Sequence, residues 1–253
     1  DKTTGKTVKV DLDRQLLKPL AGTGKMFCYD SPEYVKDMGT PDRFHQVEED
    51  FKAGRVSAKN LSNKQKAVFL DRDGTINKYV GFLRNINDLE LIDGVAEAIK
   101  KINASGYLAI VVTNQPVIAR GEVTFQELEE IHNKMETELG LQGAYLDAIY
   151  YCPHHPVHGI GAYKKVCNCR KPGTGMFEMA EKDFPVDRAA SYMIGDKLLD
   201  TEAGQKFGVT SILVGTGYGA ELHKEQQENG EKPPYVHYAA DLEQAAQWIL
   251  ERK

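Results

Sequence analysis

The chain has 253 residues, 41% of them hydrophobic and 27% charged, with a formal net charge of -5. That length can bury a full core in one large domain or two unequal ones. The acidic balance argues against nucleic acid as a partner, and no apolar run approaches a membrane span or a secretory signal. Four cysteines are few for a disulfide framework, and three of them fall between Cys152 and Cys169 beside histidines. The clustering points to metal binding in a reducing compartment, with the cytoplasm as the expected location.

The first sixty residues do not read as a self-sufficient domain. A polar start is followed by Val8 to Val10, a leucine-bearing segment from Asp13 to Leu20, and a Gly22-Thr-Gly24 turn. Met26 to Tyr29 reads as a short strand. Thr40 is placed to cap a helix running from about Pro41 to Lys52. Too few apolar residues are present to close a core, and the small, polar stretch from Gly54 to Gln65 reads as a linker.

From Lys66 onward strands and helices alternate, which predicts a parallel sheet with helices on both faces, a three-layer α/β domain over 66–253. Lys66 to Leu70 is the first strand. A mixed stretch from Asn77 to Leu91 precedes a helix at about 94–105, with Val95, Ala98, Ile99 and Ile102 on one face. Tyr107 to Val112 is a continuous apolar strand, as expected where both faces are covered. Thr124 and Glu127 form a capping box at the head of a helix reaching Leu139. Further strands are expected at 146–151, 191–194 and 209–214, and further helices at 174–182, 199–207 and 242–251.

Chemistry gathers at the strand ends, where open parallel sheets bind ligands. Asp71 and Asp73, spaced i, i+2, follow the first strand and would face the same side of an extended segment. Two carboxylates so close favour a hard cation such as Mg2+. Thr113, Asn114 and Gln115 follow the second strand and suit phosphate oxygens. Asp196 follows a later strand and would complete a carboxylate cluster, and Arg170-Lys171 supplies cations for a phosphoryl group. Each of these is an ordinary turn by itself; together, in this order, they describe a phosphate site.

A second constellation is Cys152-x-His154, twelve residues, then Cys167-x-Cys169. Four such ligands close a tetrahedral site, the pattern of structural Zn2+. The loop between them has few apolar residues, so the metal would replace a core there and hold Arg170 and Lys171 over the phosphate site.

These motifs resemble the haloacid-dehalogenase-like phosphohydrolases: Asp71-Arg-Asp73-Gly-Thr75 matches their first motif, Thr113 the second, Lys171 the third, Asp196 with Asp200 the fourth. The resemblance implies a Rossmann-like sheet. It implies Asp71 as nucleophile and Asp73 as acid and base. Thr113 and Lys171 would stabilise the phosphoryl oxygens, and Mg2+ would be held by Asp71, the Asp73 main chain and Asp196. Asp200 would orient the fourth motif rather than touch the ion. Within the superfamily the chain resembles the D-glycero-D-manno-heptose-1,7-bisphosphate 7-phosphatases. The stretches that carry this are Phe69 to Asn77, Val112 to Gln115, Ile118 to Gly121, Tyr150 to Pro156, Cys167 to Pro172 and Gly195 to Lys197. That family has no large cap domain, and it implies a small sugar bisphosphate as substrate, with Asn114, Arg120 and Arg170 as substrate contacts. Pro116-Val117 departs from its usual Ser-Gly, which removes one amide donor.

Asp37-Met-Gly-Thr-Pro41 resembles the region near the C-terminal end of sugar-phosphate nucleotidyltransferases, without their glycine-rich start. On that resemblance residues 1–60 are a remnant of such a domain plus linker, and the phosphatase had a fused or associated nucleotidyltransferase. An N-terminal extension packed on the main domain is the alternative. Pairing a 7-phosphatase with a nucleotidyltransferase that uses the α-anomer of the sugar 1-phosphate implies a preference for the α-bisphosphate. Two other functions compete: histidinol-phosphate phosphatase, a sibling with a shorter Cys/His spacing, and a zinc-loop binding module with a degenerate hydrolase domain.

Overall fold

Ala67–Leu70 form β1, buried along its whole length, in a computed structural model that describes residues 5, 10–27, 31, 33–230 and 232–252. Alternation along this strand builds two cores. Ala67 and Phe69 face one side of the sheet; Val68 and Leu70 face the other. Five more strands join it: β2 (Leu108–Asn114), β3 (Ala148–Cys152), β4 (Tyr192–Gly195), β5 (Thr210–Val214) and β6 (His237–Ala239). All pair in parallel, in the order β3-β2-β1-β4-β5-β6. The strand order therefore reverses between β1 and β4, and a crevice opens there beyond the carboxyl ends.

Nine helices accompany the strands among the described residues: α1 (Pro41–Lys52), α2 (Arg55–Ala58), α3 (Val95–Ala104), α4 (Pro116–Ala119), α5 (Phe125–Leu141), α6 (Gly175–Asp183), α7 (Leu198–Phe207), α8 (Gly219–Asn229) and α9 (Leu242–Leu250). One core packs Ile99 and Ile102 of α3, Ile131 and Met135 of α5, and Ala245 and Ile249 of α9 against Val68 and Leu70. The other packs Phe177 of α6 and Phe207 of α7 around Phe69, with ring centroids 4.8 and 5.9 Å from it. The three-layer architecture is the one expected. The capping box of α5 forms as read, Glu127 accepting from the Thr124 amide and Thr124 Oγ1 from the Glu127 amide. None of the helices among the described residues is long and apolar enough to cross a membrane.

The chain forms two compact units, Asp1–Pro32 and Glu33–Lys253. In the first, the described residues include a π-helical turn at Leu12–Leu17 and a 3-10 turn at Lys18–Leu20, none of them buried. The expected elements Val8 to Val10 and Met26 to Tyr29 lie largely outside the described residues.

Residues 33–65 differ from the sequence expectation, because they are part of the second unit. Asp50 of α1 is buried and accepts from Tyr34 Oη at 2.6 Å, Lys36 Nζ at 3.1 Å and Arg55 Nε at 2.9 Å. The stretch read as a linker contains α2 and then Lys59, whose ammonium reaches Asp147 Oδ1 at 2.8 Å. The other Asp147 oxygen accepts from the Ala109 amide of β2 at 2.8 Å. Gln65 pairs its backbone with Pro185 and Asp187. These contacts are polar and distant in sequence, which is why composition alone suggested a tether. Because this ion pair is largely buried, with side chains 11% and 2% exposed, Lys59→Met should destabilise the protein by about 3 kcal/mol. Chemical denaturation checks this, and the loss should shrink when Asp147→Asn is introduced as well.

Candidate active site

At the reversal point, β1 delivers Asp71 and β4 delivers Asp196. The Asp71 amide donates to Ile194 O at 2.9 Å, which fixes the two strand ends side by side. Asp200, in the first turn of α7, joins them, and the three carboxylates bring oxygens within 4.8 Å of one another. All three residues are buried.

Lys171 enters this cluster from the loop between β3 and α6. Its ammonium donates to Asp71 Oδ1 and to Val112 O, each at 2.7 Å, and pairs with Asp200 Oδ1 at 2.7 Å. Burial opposes the charge, but the carboxylates of Asp200 and Asp71 outweigh it and raise the lysine pKa. Among the described residues Asp196 has no directly paired ammonium, and the charge of Lys197 opposes its rise only in part. Burial, then the neighbouring charges of Asp71 and Asp200, pushes it up to about 7, and Asp200 is pushed up to about 6 by burial and Asp71 despite Lys171. Asp196 Oδ1 is buried without a hydrogen-bond partner. A buried carboxylate oxygen with no donor, among like charges, fits a divalent cation.

The loop after β5 shapes this corner. Gly217 has φ +57°, and a Cβ on it would lie 2.1 Å from Asp196 Oδ2; one on Gly74, at φ +87°, would lie 2.5 Å from the same atom. Only glycine permits that approach at both positions. Tyr218 N donates to Asp196 Oδ2 at 3.1 Å, and Thr216 Oγ1 donates to Gly74 O at 2.6 Å, tying the loop to the turn after β1.

Asp73 is held differently. Arg72 Nη2 donates to Asp73 Oδ2 at 2.8 Å and Oδ1 at 2.9 Å, Gln115 Nε2 to Oδ2 at 3.0 Å, and Asn77 Nδ2 to Oδ1 at 3.1 Å. Burial resists ionisation, but the Arg72 charge and the donated hydrogen bonds of Gln115 and Asn77 hold the carboxyl below its ordinary value.

These groups open on a pocket of about 130 Å3 lined by Asp71, Asp73, Thr113, Asn114, Arg170 and Lys171, with Tyr79, Phe82, Lys197 and others as its walls. Most of the residues expected from sequence therefore meet. Asn114 lines the pocket, but its amide is engaged with the backbone of Lys171, accepting from the amide at 3.0 Å and donating to the carbonyl at 3.2 Å. Arg120 stands behind the wall, its guanidinium 4.3 Å from the Phe82 ring centre. Pro116 begins α4, where its missing N–H is tolerated. Tyr79, Phe82, Gly217 and the Arg72 side chain were not singled out in the sequence. Lys197 lay within a quoted motif, yet nothing there indicated that its ammonium sits 4.6 Å from the Tyr79 ring and 5.3 Å from that of Tyr218.

The Cys/His quartet also closes. Sγ atoms of Cys152, Cys167 and Cys169 lie 3.2–3.5 Å apart, His154 Nδ1 is 3.3 Å from Cys169 Sγ, and the thiols are unbonded. Such spacing suits one tetrahedral ion, whose ligand atoms sit about 3.8 Å apart for bonds of about 2.3 Å. His155 and His158 stay outside; His155 Nδ1 instead accepts from the amides of Val157 and His158. Arg170 Nη1 donates to His154 O at 3.2 Å, so the quartet and the pocket share a strut.

A family model described as HAD-hydrolase-like matches residues 168–245. The chain is 43% identical over 191 residues to D-glycero-beta-D-manno-heptose-1,7-bisphosphate 7-phosphatase of Salmonella typhi, covering 75% of this chain and 92% of that one. It is 48% identical over 155 residues to the enzyme of that name in Haemophilus ducreyi, covering 60% and 85%. Among solved structures, D,D-heptose 1,7-bisphosphate phosphatase from B. bronchiseptica, complexed with magnesium and phosphate, is similar with a TM-score of 0.66 and 31% identity, covering 75% of this chain and 100% of that one.

Gly217→Ala should weaken Mg2+ binding by at least about tenfold, as expected when the support of a metal ligand is displaced. Calorimetric titration of the purified variant with Mg2+ checks this.

Proposed function

The chain belongs to the D-glycero-D-manno-heptose-1,7-bisphosphate 7-phosphatase family, and from that membership we propose that it removes the C7 phosphate of heptose 1,7-bisphosphate through an aspartyl-phosphate. It is a phosphoric monoester hydrolase of the haloacid-dehalogenase-like kind. The observation that carries the mechanism is the convergence of Asp71, Lys171 and Asp196 at one strand reversal, with Asp73 two residues beyond the nucleophile.

In the first step an Asp71 oxygen forms a bond to phosphorus, the bond from phosphorus to the sugar oxygen breaks, and the leaving oxygen takes a proton from Asp73, which is ionised in the free site and gains that proton as the anionic substrate binds beside it. In the second, Asp73 takes a proton from water, the water oxygen bonds to phosphorus, and the bond from phosphorus to Asp71 breaks. Lys171 and Thr113 stabilise the phosphoryl oxygens through both steps. Mg2+ held by Asp71, Asp196 and the Asp73 main chain supplies further positive charge to those oxygens. Arg170 contacts the distal phosphate or the sugar hydroxyls, and Arg120, behind the Phe82 ring, adds positive charge at that end of the pocket. The substitution of Asn for Asp71 should abolish phosphate release with the fold intact, and Asp73→Asn should lower it by about 100-fold or more, measured by phosphate release with Mg2+ present.

Zn2+ at Cys152, His154, Cys167 and Cys169 holds the loop that carries Arg170 and Lys171. Elemental analysis of freshly purified, unchelated protein should find one zinc per chain. Its removal should lower activity by misplacing those two cations.

Residues 1–60 are, in this reading, the remnant of a nucleotidyltransferase-like domain, and 66–253 the phosphatase domain. Asp37, matched to a metal-binding aspartate, is exposed here and pairs with Arg43 while accepting from the Gly39 amide. That resemblance supports an α-anomer preference. A second reading has its own support, because the relatives' names specify the β-anomer. Measuring kcat/KM for both anomers and for histidinol phosphate on one preparation separates these. Preference for β would remove the N-terminal argument alone, whereas preference for histidinol phosphate would overturn the substrate assignment.

A further inference from the structure

Arg72 stands between Asp71 and Asp73 in sequence, yet its side chain turns into the protein and is completely buried. The guanidinium forks onto Asp73 with Nε and Nη2, Nη2 also reaches Gln115 Oε1 at 3.0 Å, and Nη1 lies 3.2 Å from His132 Nε2. Arginine offers only donors, so the imidazole accepts at Nε2 and carries its hydrogen on Nδ1. Burial, and then the Arg72 charge, lowers the His132 pKa to about 3, which keeps the ring neutral and able to accept.

His132 lies on the buried face of α5 beside Leu128, Ile131 and Met135, with the Tyr151 ring centred 5.7 Å away. No residue of α5 lines the pocket. The histidine's hydrogen bond toward the reacting groups therefore runs through Arg72.

We propose that His132 is a positioning residue for the acid–base carboxylate: by accepting from Arg72 Nη1 it fixes the plane of the guanidinium fork, and the fork fixes the rotamer of Asp73. The proposal rests on the phosphatase reading above. General acid catalysis needs an oxygen within hydrogen-bond reach of the leaving group, so the orientation of Asp73 controls the proton transfer that accompanies cleavage of the sugar–phosphate bond. Without the imidazole acceptor, Nη1 becomes a buried charged donor with no partner, and the guanidinium turns to find another. The carboxylate paired with it turns too.

The leaving group separates this role from a merely structural one. A sugar alkoxide leaves only when protonated, whereas an aryl oxide with a pKa near 7 leaves without the proton. The substitution His132→Leu should lower kcat/KM for heptose bisphosphate by about tenfold or more, and for an aryl phosphate by less than about threefold. His132→Gln, which keeps an acceptor oxygen, should recover most of the loss. Because the readout is a ratio of two substrates on one preparation, a reduced folded fraction cancels. Equal losses on both substrates, no loss on either, or no recovery with glutamine would overturn the proposal. A wild-type protein that releases phosphate from neither substrate would overturn the phosphatase reading, and this proposal with it.

Discussion

The site depends on one buried ammonium. Lys171 pairs with Asp71 and Asp200, Asp196 adds a third carboxyl, and one ammonium cannot balance all three if they ionise in this water-poor corner. A buried ion pair of this kind adds little net stability, since desolvation offsets most of the attraction, but removing either partner is costly. Its effect is geometric: the lysine holds Asp71 beside β2 and Asp200 in the first turn of α7. Full ionisation of the cluster needs further positive charge, which a divalent cation would supply, and Asp196 Oδ1 is buried without a hydrogen-bond partner.

Much of the surrounding structure fixes Lys171. Its backbone is clamped on both sides by the Asn114 amide, so the end of β2 holds the loop after β3. The Cys/His quartet closes the same loop just before it, and Arg170 bonds back to the carbonyl of His154. A loop with few apolar residues has no core of its own, and polar contacts and the clustered Cys/His side chains replace it.

Asp71 and Asp73 are two residues apart, yet their surroundings differ. The first meets an ammonium and two other carboxylates; the second meets a guanidinium fork and two amides. Different environments for neighbouring carboxyls are the usual physical basis for dividing nucleophilic from proton-transfer work. The second environment extends to α5 through Arg72, which makes a helix remote from the pocket part of the site.

Local patterns made part of this protein legible in its sequence. Apolar runs identified five of the six strands, the Thr124–Glu127 box marked the start of α5, and Asp71, Asp73, Thr113, Lys171 and Asp196 each fell at an expected strand end or loop. The spacing of the Cys/His quartet announced its closure. Tertiary structure decided the rest, because it depends on partners far apart in the chain. Strand order and β6 followed from long-range pairing that no local period encodes. Residues 33–65 joined the larger unit through Lys59–Asp147, a contact across 88 positions. Arg120 was set behind Phe82, and Asn114 was turned to the Lys171 backbone. Arg72 drew no attention in the sequence, and His132, sixty positions later, supplies the acceptor that makes its burial tolerable. Sequence determines which groups are available at each strand end; only packing determines which charge each of them meets.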